Sequence, residues 1–217
     1  MKKIIILGST GMAGHLITYY LTQLNKYEII NVSRSKLNEN TILIDAYNIN
    51  SVEKLLNEKK PNVLINCIGV LIKESERYPD RAIYINSFFP RYLERLGKEM
   101  NFKLIHLSTD CVFSGKKGDY IENDLKNASD IYGRSKALGE VMNNKQIIQI
   151  LRSESIDINN AYLRTMRNRD LEEEKNVMIS NHDATLLVSK TVSMTLRNIA
   201  LKIEIILAKE IILDETA

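Results

Sequence analysis

Lys3-Ile4-Ile5-Ile6-Leu7-Gly8-Ser9-Thr10-Gly11-Met12-Ala13-Gly14 decides how this chain folds. Lys3–Leu7 is a short apolar run that stops at a glycine, as a strand buried on both faces of a parallel sheet does. Helical spacing takes over across Met12–Leu24. Between them the glycines fall as G-x-x-G-x-x-G. Gly8 allows the tight turn, Gly11 lets a pyrophosphate approach the backbone, and Gly14 lets helix and strand pack closely. Thr10 and Met12 share that turn and belong to the same expected dinucleotide site. The helix N-terminus supplies N–H donors and a partial positive charge for the phosphates. The bland alternative is a glycine-bearing strand-to-helix turn with no ligand.

Downstream, strand and helix patterns keep alternating. Strands are expected at Glu28–Val32, Thr41–Ile44, Asn62–Asn66, Lys103–Leu107 and Gln146–Leu151. Helices are expected at Ser51–Glu58 with Ser51 as N-cap, within Arg81–Met100 with a break or bend near Pro90, and at Asp130–Met142. Such βα units with right-handed crossovers make an α/β protein, a doubly wound parallel sheet of Rossmann type. Its crevice lies where Gly8, Asn66 and Ser108 end their strands. The expected division is a dinucleotide-binding domain over residues 1–152 and a small, reduced C-terminal substrate portion over 153–217. There the pattern fades: Asp157–Lys175 is polar, Leu186–Ala200 suits a helix, and Ile203–Leu213 suits helix or strand.

The second strand ends in Val32-Ser33-Arg34-Ser35, with no acidic residue to hold a ribose 2′-hydroxyl. Arg34 and its flanking hydroxyls suit a 2′-phosphate, so NADP(H) is the expected cofactor, with NAD(H) the alternative. The bland alternative is an ordinary exposed arginine. Asp45, ending the third strand, suits the adenine amino group or the cap of a turn. Asn66 and Gly69, at the end of the fourth strand, suit the cofactor's ribose.

Tyr132 and Lys136 lie four residues apart in Tyr132-Gly133-Arg134-Ser135-Lys136, which puts a phenol and an ammonium on one helical face. A neighbouring cation favours phenolate, so Tyr132 is expected to have a lowered pKa and to exchange a proton with a substrate oxygen. Lys103–Leu107 delivers Ser108-Thr109-Asp110 to the sheet rim, where a hydroxyl reaches the same oxygen. Thr109, Tyr132 and Lys136 are the parts needed for reversible carbonyl reduction with a nicotinamide. The alternative is a packed tyrosine ring and a solvated lysine.

Ser108-Thr109-Asp110-Cys111-Val112-Phe113-Ser114-Gly115 and Tyr132-Gly133-Arg134-Ser135-Lys136-Ala137-Leu138-Gly139-Glu140, together with Gly8–Gly14, resemble the extended short-chain dehydrogenase/reductases. Within them the likeness is to the dTDP-4-dehydrorhamnose reductase group of sugar-nucleotide reductases, over Met1–Arg152, about seven-tenths of the chain. The resemblance implies NADPH-dependent reduction of the 4-keto group of a nucleotide-linked deoxysugar, for cell-surface polysaccharide synthesis. It implies Thr109 as hydroxyl donor, Tyr132 as acid and Lys136 as ribose ligand. Ser108, Asp110 and Asn86 would lie near the substrate. Members of the group are usually longer and carry glycines in their substrate loops, whereas here no glycine follows Gly139. That difference favours a second implied reading, a non-catalytic NADP-binding regulatory subunit of the same fold, like a subunit of methionine adenosyltransferase. A homodimer through the long helices is a further expectation from the superfamily.

Composition narrows the classes. At 217 residues and 44% hydrophobic, the chain has a substantial core to bury. Its net charge of +3 is dispersed and gives little reason to expect nucleic-acid binding. No apolar run approaches a membrane span and no secretory signal precedes Gly8, so a soluble cytoplasmic protein is expected. Cys67 and Cys111 suit buried free thiols in apolar, strand-like surroundings. His15, His106 and His182 have no metal-ligand spacing with them, and no metal is expected.

Overall fold

The computed structural model describes residues 1–117, 120, 124–141, 147–150, 203 and 207. Six parallel strands form one sheet in the order β3-β2-β1-β4-β5-β6. They are β1 (Lys2–Leu7), β2 (Tyr27–Ser33), β3 (Ile42–Leu43), β4 (Val63–Asn66), β5 (Lys103–Leu107) and β6 (Ile147–Ile150). The chain winds from β1 outward through β2 to β3, then crosses back to β4. The order therefore reverses between β1 and β4, and a ligand crevice opens at the carboxyl ends of strands on either side of such a reversal. This is the expected doubly wound α/β fold.

The central strands read as continuous apolar runs because both faces are covered. Ile4, Ile5, Ile6, Leu64, Ile65, Leu104 and Ile105 are fully buried. Helices α1 (Met12–Gln23), α2 (Ile49–Lys59), α5 (Phe89–Met100) and α6 (Ile131–Gly139) pack around the sheet. Leu55 and Leu56 of α2 and Leu93 and Leu96 of α5 meet Ile5 and Leu104 in one core cluster. The cap of α2 is Asn48, not Ser51: the Asn48 side chain accepts from the Ser51 backbone N–H at 3.1 Å, starting the helix earlier than expected.

The expected break near Pro90 is a π-helical turn. Two short helices, α3 (Ile72–Arg77) and α4 (Pro79–Ala82), lead into a π segment at Ile83–Phe88, and α5 follows with Pro90 in its first turn. Proline lacks the N–H that would bond four residues back, to the carbonyl of Asn86. That carbonyl instead faces α6, where a Cβ added at Gly139 would lie 1.8 Å from the Asn86 oxygen. The wide turn and the bare glycine let two helices meet almost backbone to backbone. Helix α6 stops at Gly139, short of the expected Met142, and Asp130 caps its start by accepting from the Gly133 N–H.

The chain divides into two compact units, Met1–Leu151 and Arg152–Ala217. In the second, Ile203 and Leu207 are helical and buried, which decides the helix-or-strand question at those two positions. The segments 157–175 and 186–200 lie outside the described residues. Among the described residues no helix is long and apolar enough to cross a membrane.

Candidate active site

The turn after β1 is built as a phosphate cradle. Gly8 adopts φ +80°, which a side chain would strain, and its N–H donates to the Val32 carbonyl at 2.8 Å, tying the loop to β2. The Gly11 N–H bonds back to the Gly8 carbonyl at 2.9 Å. A Cβ at Gly14 would sit 2.1 Å from the Gly8 oxygen, and one at Gly11 3.2 Å from it. Helix α1 starts at a Gly11 cap with no side-chain acceptor and no acidic residue in its first turn. An N-terminus of that kind suits an anion. Met12 opens the helix but is half exposed, and it does not line the crevice.

A cavity of about 240 Å³ runs from this turn across the sheet's reversal point, between Gly8, Thr10 and Gly11 on one side and Cys67, Ile68 and Gly69 on the other. Ser33, Arg34 and Asp45 wall its far end. Ser35 stands within 3.4 Å of the Thr10 hydroxyl, and the Ser33 hydroxyl donates to the Ser35 carbonyl, so the Arg34 backbone is held in a compact bend. Asp45 both walls the cavity and caps its own turn, accepting from the Tyr47 N–H at 3.1 Å. Tyr47, which sequence reasoning missed, lines the same wall and stacks on Tyr84 with centroids 5.1 Å apart. Its only advance signal was its place just past a strand end.

Asn66 sits elsewhere. Its side chain turns into the sheet interior, where Oδ1 accepts from the Ile68 N–H at 3.1 Å and Nδ2 lies 3.1 Å from His106 Nδ1. The orientation follows from register: Asn66 on β4 stands opposite His106 on β5. His106 Nδ1 then accepts, leaving the proton on Nε2, which has no hydrogen-bond partner among the described residues. Burial holds the His106 pKa well below the ordinary imidazole value, and the nearby Lys136 adds to that.

Thr109 follows the end of β5, and Tyr132 and Lys136 lie one turn apart on α6, all three buried. Thr109 is within hydrogen-bonding reach of the Tyr132 side chain, a contact that favours phenolate, yet burial wins and pushes the Tyr132 pKa up to about 12. The expected lowering by Lys136 is therefore not what the structure holds. After burial, the groups acting most on Tyr132 are Cys111, Thr109, Asp110 and Asp130. The Lys136 ammonium is drawn the other way: Nζ donates to the Leu107 carbonyl at 2.7 Å. Burial lowers its pKa to about 8, against the opposing influence of Glu140 and Cys67.

The three outlying candidates are engaged within the protein. The Ser108 hydroxyl donates to Glu140 Oε1 at 2.8 Å. Asp110 Oδ1 accepts from the Thr109 hydroxyl at 3.2 Å. Asn86, on the π segment, accepts from the Val70 N–H at 2.8 Å and donates to the Val70 carbonyl at 2.9 Å and to the Ser135 hydroxyl at 3.1 Å. It braces the crevice loop against α6. Cys67 and Cys111 are free thiols, but both are half-buried, and Cys111 belongs to a 3-10 turn at Asp110–Val112 rather than a strand. Among the described residues no group of three or more His, Cys, Asp or Glu side chains gathers as a metal site would.

Residues 1–186 match the family of the RmlD substrate binding domain. The chain belongs to that family. The likeness to sugar-nucleotide reductases carried by Ser108–Gly115 and Tyr132–Glu140 thus holds at family level. A dTDP-4-dehydrorhamnose reductase from Aggregatibacter actinomycetemcomitans is 29% identical over 181 residues, covering 79% of this chain and 59% of that protein. Methionine adenosyltransferase 2 subunit beta from Bos taurus is 25% identical over 140 residues, covering 64% of this chain and 42% of that protein. The crystal structure of dTDP-4-dehydrorhamnose reductase from Bacillus anthracis, in complex with NADP, superposes with a TM-score of 0.59 at 25% identity, covering 75% of this chain and 61% of that one. The chain spans about half the length of the curated relatives it matches, 59% and 42% of them.

Proposed function

We propose that this chain binds NADP(H) and reduces the 4-keto group of a nucleotide-linked deoxysugar, as a reductase of the dTDP-4-dehydrorhamnose type. The observation that supports this reading is a Thr109 hydroxyl acting on a buried Tyr132, with a buried Lys136 one turn along the same helix. The crevice fits a dinucleotide: a Cβ at Gly14 would collide with its own turn, and the α1 N-terminus bears no competing carboxylate. Gly8, Thr10 and Gly11 would hold the pyrophosphate and Gly69 a ribose. Arg34, Ser33 and Ser35 would take the 2′-phosphate, and Asp45 the adenine. Lys136 would hold the nicotinamide ribose.

A nicotinamide bound there would supply a hydride to the carbonyl carbon. Tyr132 gives its phenolic proton to the carbonyl oxygen, which is the other half of the reduction. With a pKa near 12 the phenol is fully protonated at neutral pH, the form that an acid needs. Thr109 donates to the same oxygen as charge develops there. Lys136 is an ammonium below its pKa of about 8 and is neutral above it.

The test is NADPH oxidation against a panel of nucleotide-linked 4-keto sugars. Turnover with one of them, lost in Tyr132→Phe, supports the reading. Tight NADPH binding with turnover on none favours the second reading, a non-catalytic NADP-binding subunit, which the likeness to methionine adenosyltransferase 2 subunit beta recommends.

A further inference from the structure

Glu140 closes the Tyr132–Glu140 run, and the proposed reaction leaves it without a task. It follows α6 directly, one turn beyond Lys136, and only 6% of its surface is exposed. Glu140 and Lys136 reach to adjacent residues at the end of β5. Lys136 Nζ donates to the Leu107 carbonyl at 2.7 Å, and the Ser108 hydroxyl donates to Glu140 Oε1 at 2.8 Å. Lys126 Nζ lies 3.7 Å from the other carboxylate oxygen, with a third of its side chain exposed. The hydroxyl donor fixes the orientation of the carboxylate, and a neighbouring cation offsets its desolvation.

We propose that Glu140 is a positioning residue whose carboxylate, anchored by Ser108 and Lys126, is the counter-charge that keeps Lys136 an ammonium beside the crevice. The groups facing Lys136 come from three elements: Cys67 after β4, His106 on β5 and Glu140 after α6. His106 is held neutral by burial, and the Cys67 thiol is pushed up to about 12 by burial, so neither carries charge at neutral pH. Glu140 is the anion of the set and the strongest influence opposing the burial of the ammonium. Ser108 thereby acquires a part as well: its hydroxyl serves the carboxylate. The use made of the Lys136 charge rests on the reductase reading, whereas the coupling between Glu140 and Lys136 does not.

The experiment titrates the lysine Cε resonances of the full chain by carbon-13 NMR, without cofactor, with Lys136 assigned by its loss in Lys136→Arg. In Glu140→Gln the Lys136 midpoint is expected to fall by about one pH unit or more. In Ser108→Ala, which removes the hydroxyl that orients the carboxylate, it is expected to fall by about 0.3 units. A Glu140→Gln titration superimposed on the wild-type curve overturns the proposal. Should that protein not fold, a Ser108→Ala midpoint that fails to fall overturns it. A second arm measures the NADPH dissociation constant against pH. Wild-type binding weakens as pH climbs through the Lys136 midpoint, and in Glu140→Gln the same weakening begins at lower pH with acid-side affinity retained. A shifted Lys136 titration in a chain that binds no NADPH at any pH sinks the reductase reading and leaves the counter-charge in place.

Discussion

Tyr132 shows what a single residue owes to its surroundings. Spacing places it one turn from Lys136, but depth in the structure, invisible in spacing, sets its acidity, and burial moves it opposite to the direction that a neighbouring cation would. An acid is still what the reaction needs. Tyr132→Phe should lower kcat for a 4-keto sugar nucleotide by about 10³-fold while the NADPH dissociation constant stays within about twofold. Single-turnover kinetics beside equilibrium binding checks both. Arg34 stands exposed at the crevice's far end. Arg34→Ala should weaken NADPH by about tenfold and leave NADH nearly unchanged, a loss matched to one charge-assisted contact. Equal weakening of both cofactors would assign Arg34 to something other than the 2′-phosphate. Asn66 marks the limit of reading at this scale. Its position at a strand end was plain, but which way its side chain turns depends on the β4–β5 register and on His106, 40 residues later in the chain.

At the scale of elements, apolar runs located all six strands to within a residue or two, and most plainly β1, β4 and β5, whose central residues are buried on both faces. The π segment was hidden. Pro90 announced an interruption, but where the helix widens is decided by α6 pressing against Asn86, a contact between elements far apart in sequence. Gly139 is the hinge of that contact. Gly139→Ala would put a methyl into the Asn86 carbonyl and force α6 outward, costing about 3 kcal/mol, and the displacement would carry Lys136 and Tyr132 with it. Denaturant unfolding should show the loss, and residual turnover should fall more than the folded fraction does. A variant as stable as the wild type would mean that the helices are less tightly apposed than described.

For the whole molecule, the buried neutral imidazole sets an acid limit. The His106 pKa is lowered in the folded state, so the unfolded chain binds more protons once pH drops toward the ordinary imidazole value of about 6.5. Stability is thus complete above that value and declines as pH falls below it. His106→Gln, which keeps an acceptor for Asn66, should flatten the decline between about pH 7 and 5 in pH-dependent unfolding. An unaltered slope would place the acid sensitivity in other groups. The first two-thirds of the chain were legible because each βα unit repeats one local pattern. In the last third the signal thins, since Asp157–Lys175 is largely polar and the apolar run Ile203–Leu213 suits helix and strand alike.

The chain has no tryptophan, and Tyr47 presents its ring to the crevice wall, stacked upon Tyr84. Ultraviolet emission from this protein is therefore tyrosine emission, and one of its sources borders the cavity that a dinucleotide would fill. A reduced nicotinamide absorbing in that region would drain it by energy transfer, so dimming of the native fluorescence, with no label attached, reports occupancy of the crevice, and Tyr47→Leu should diminish the signal.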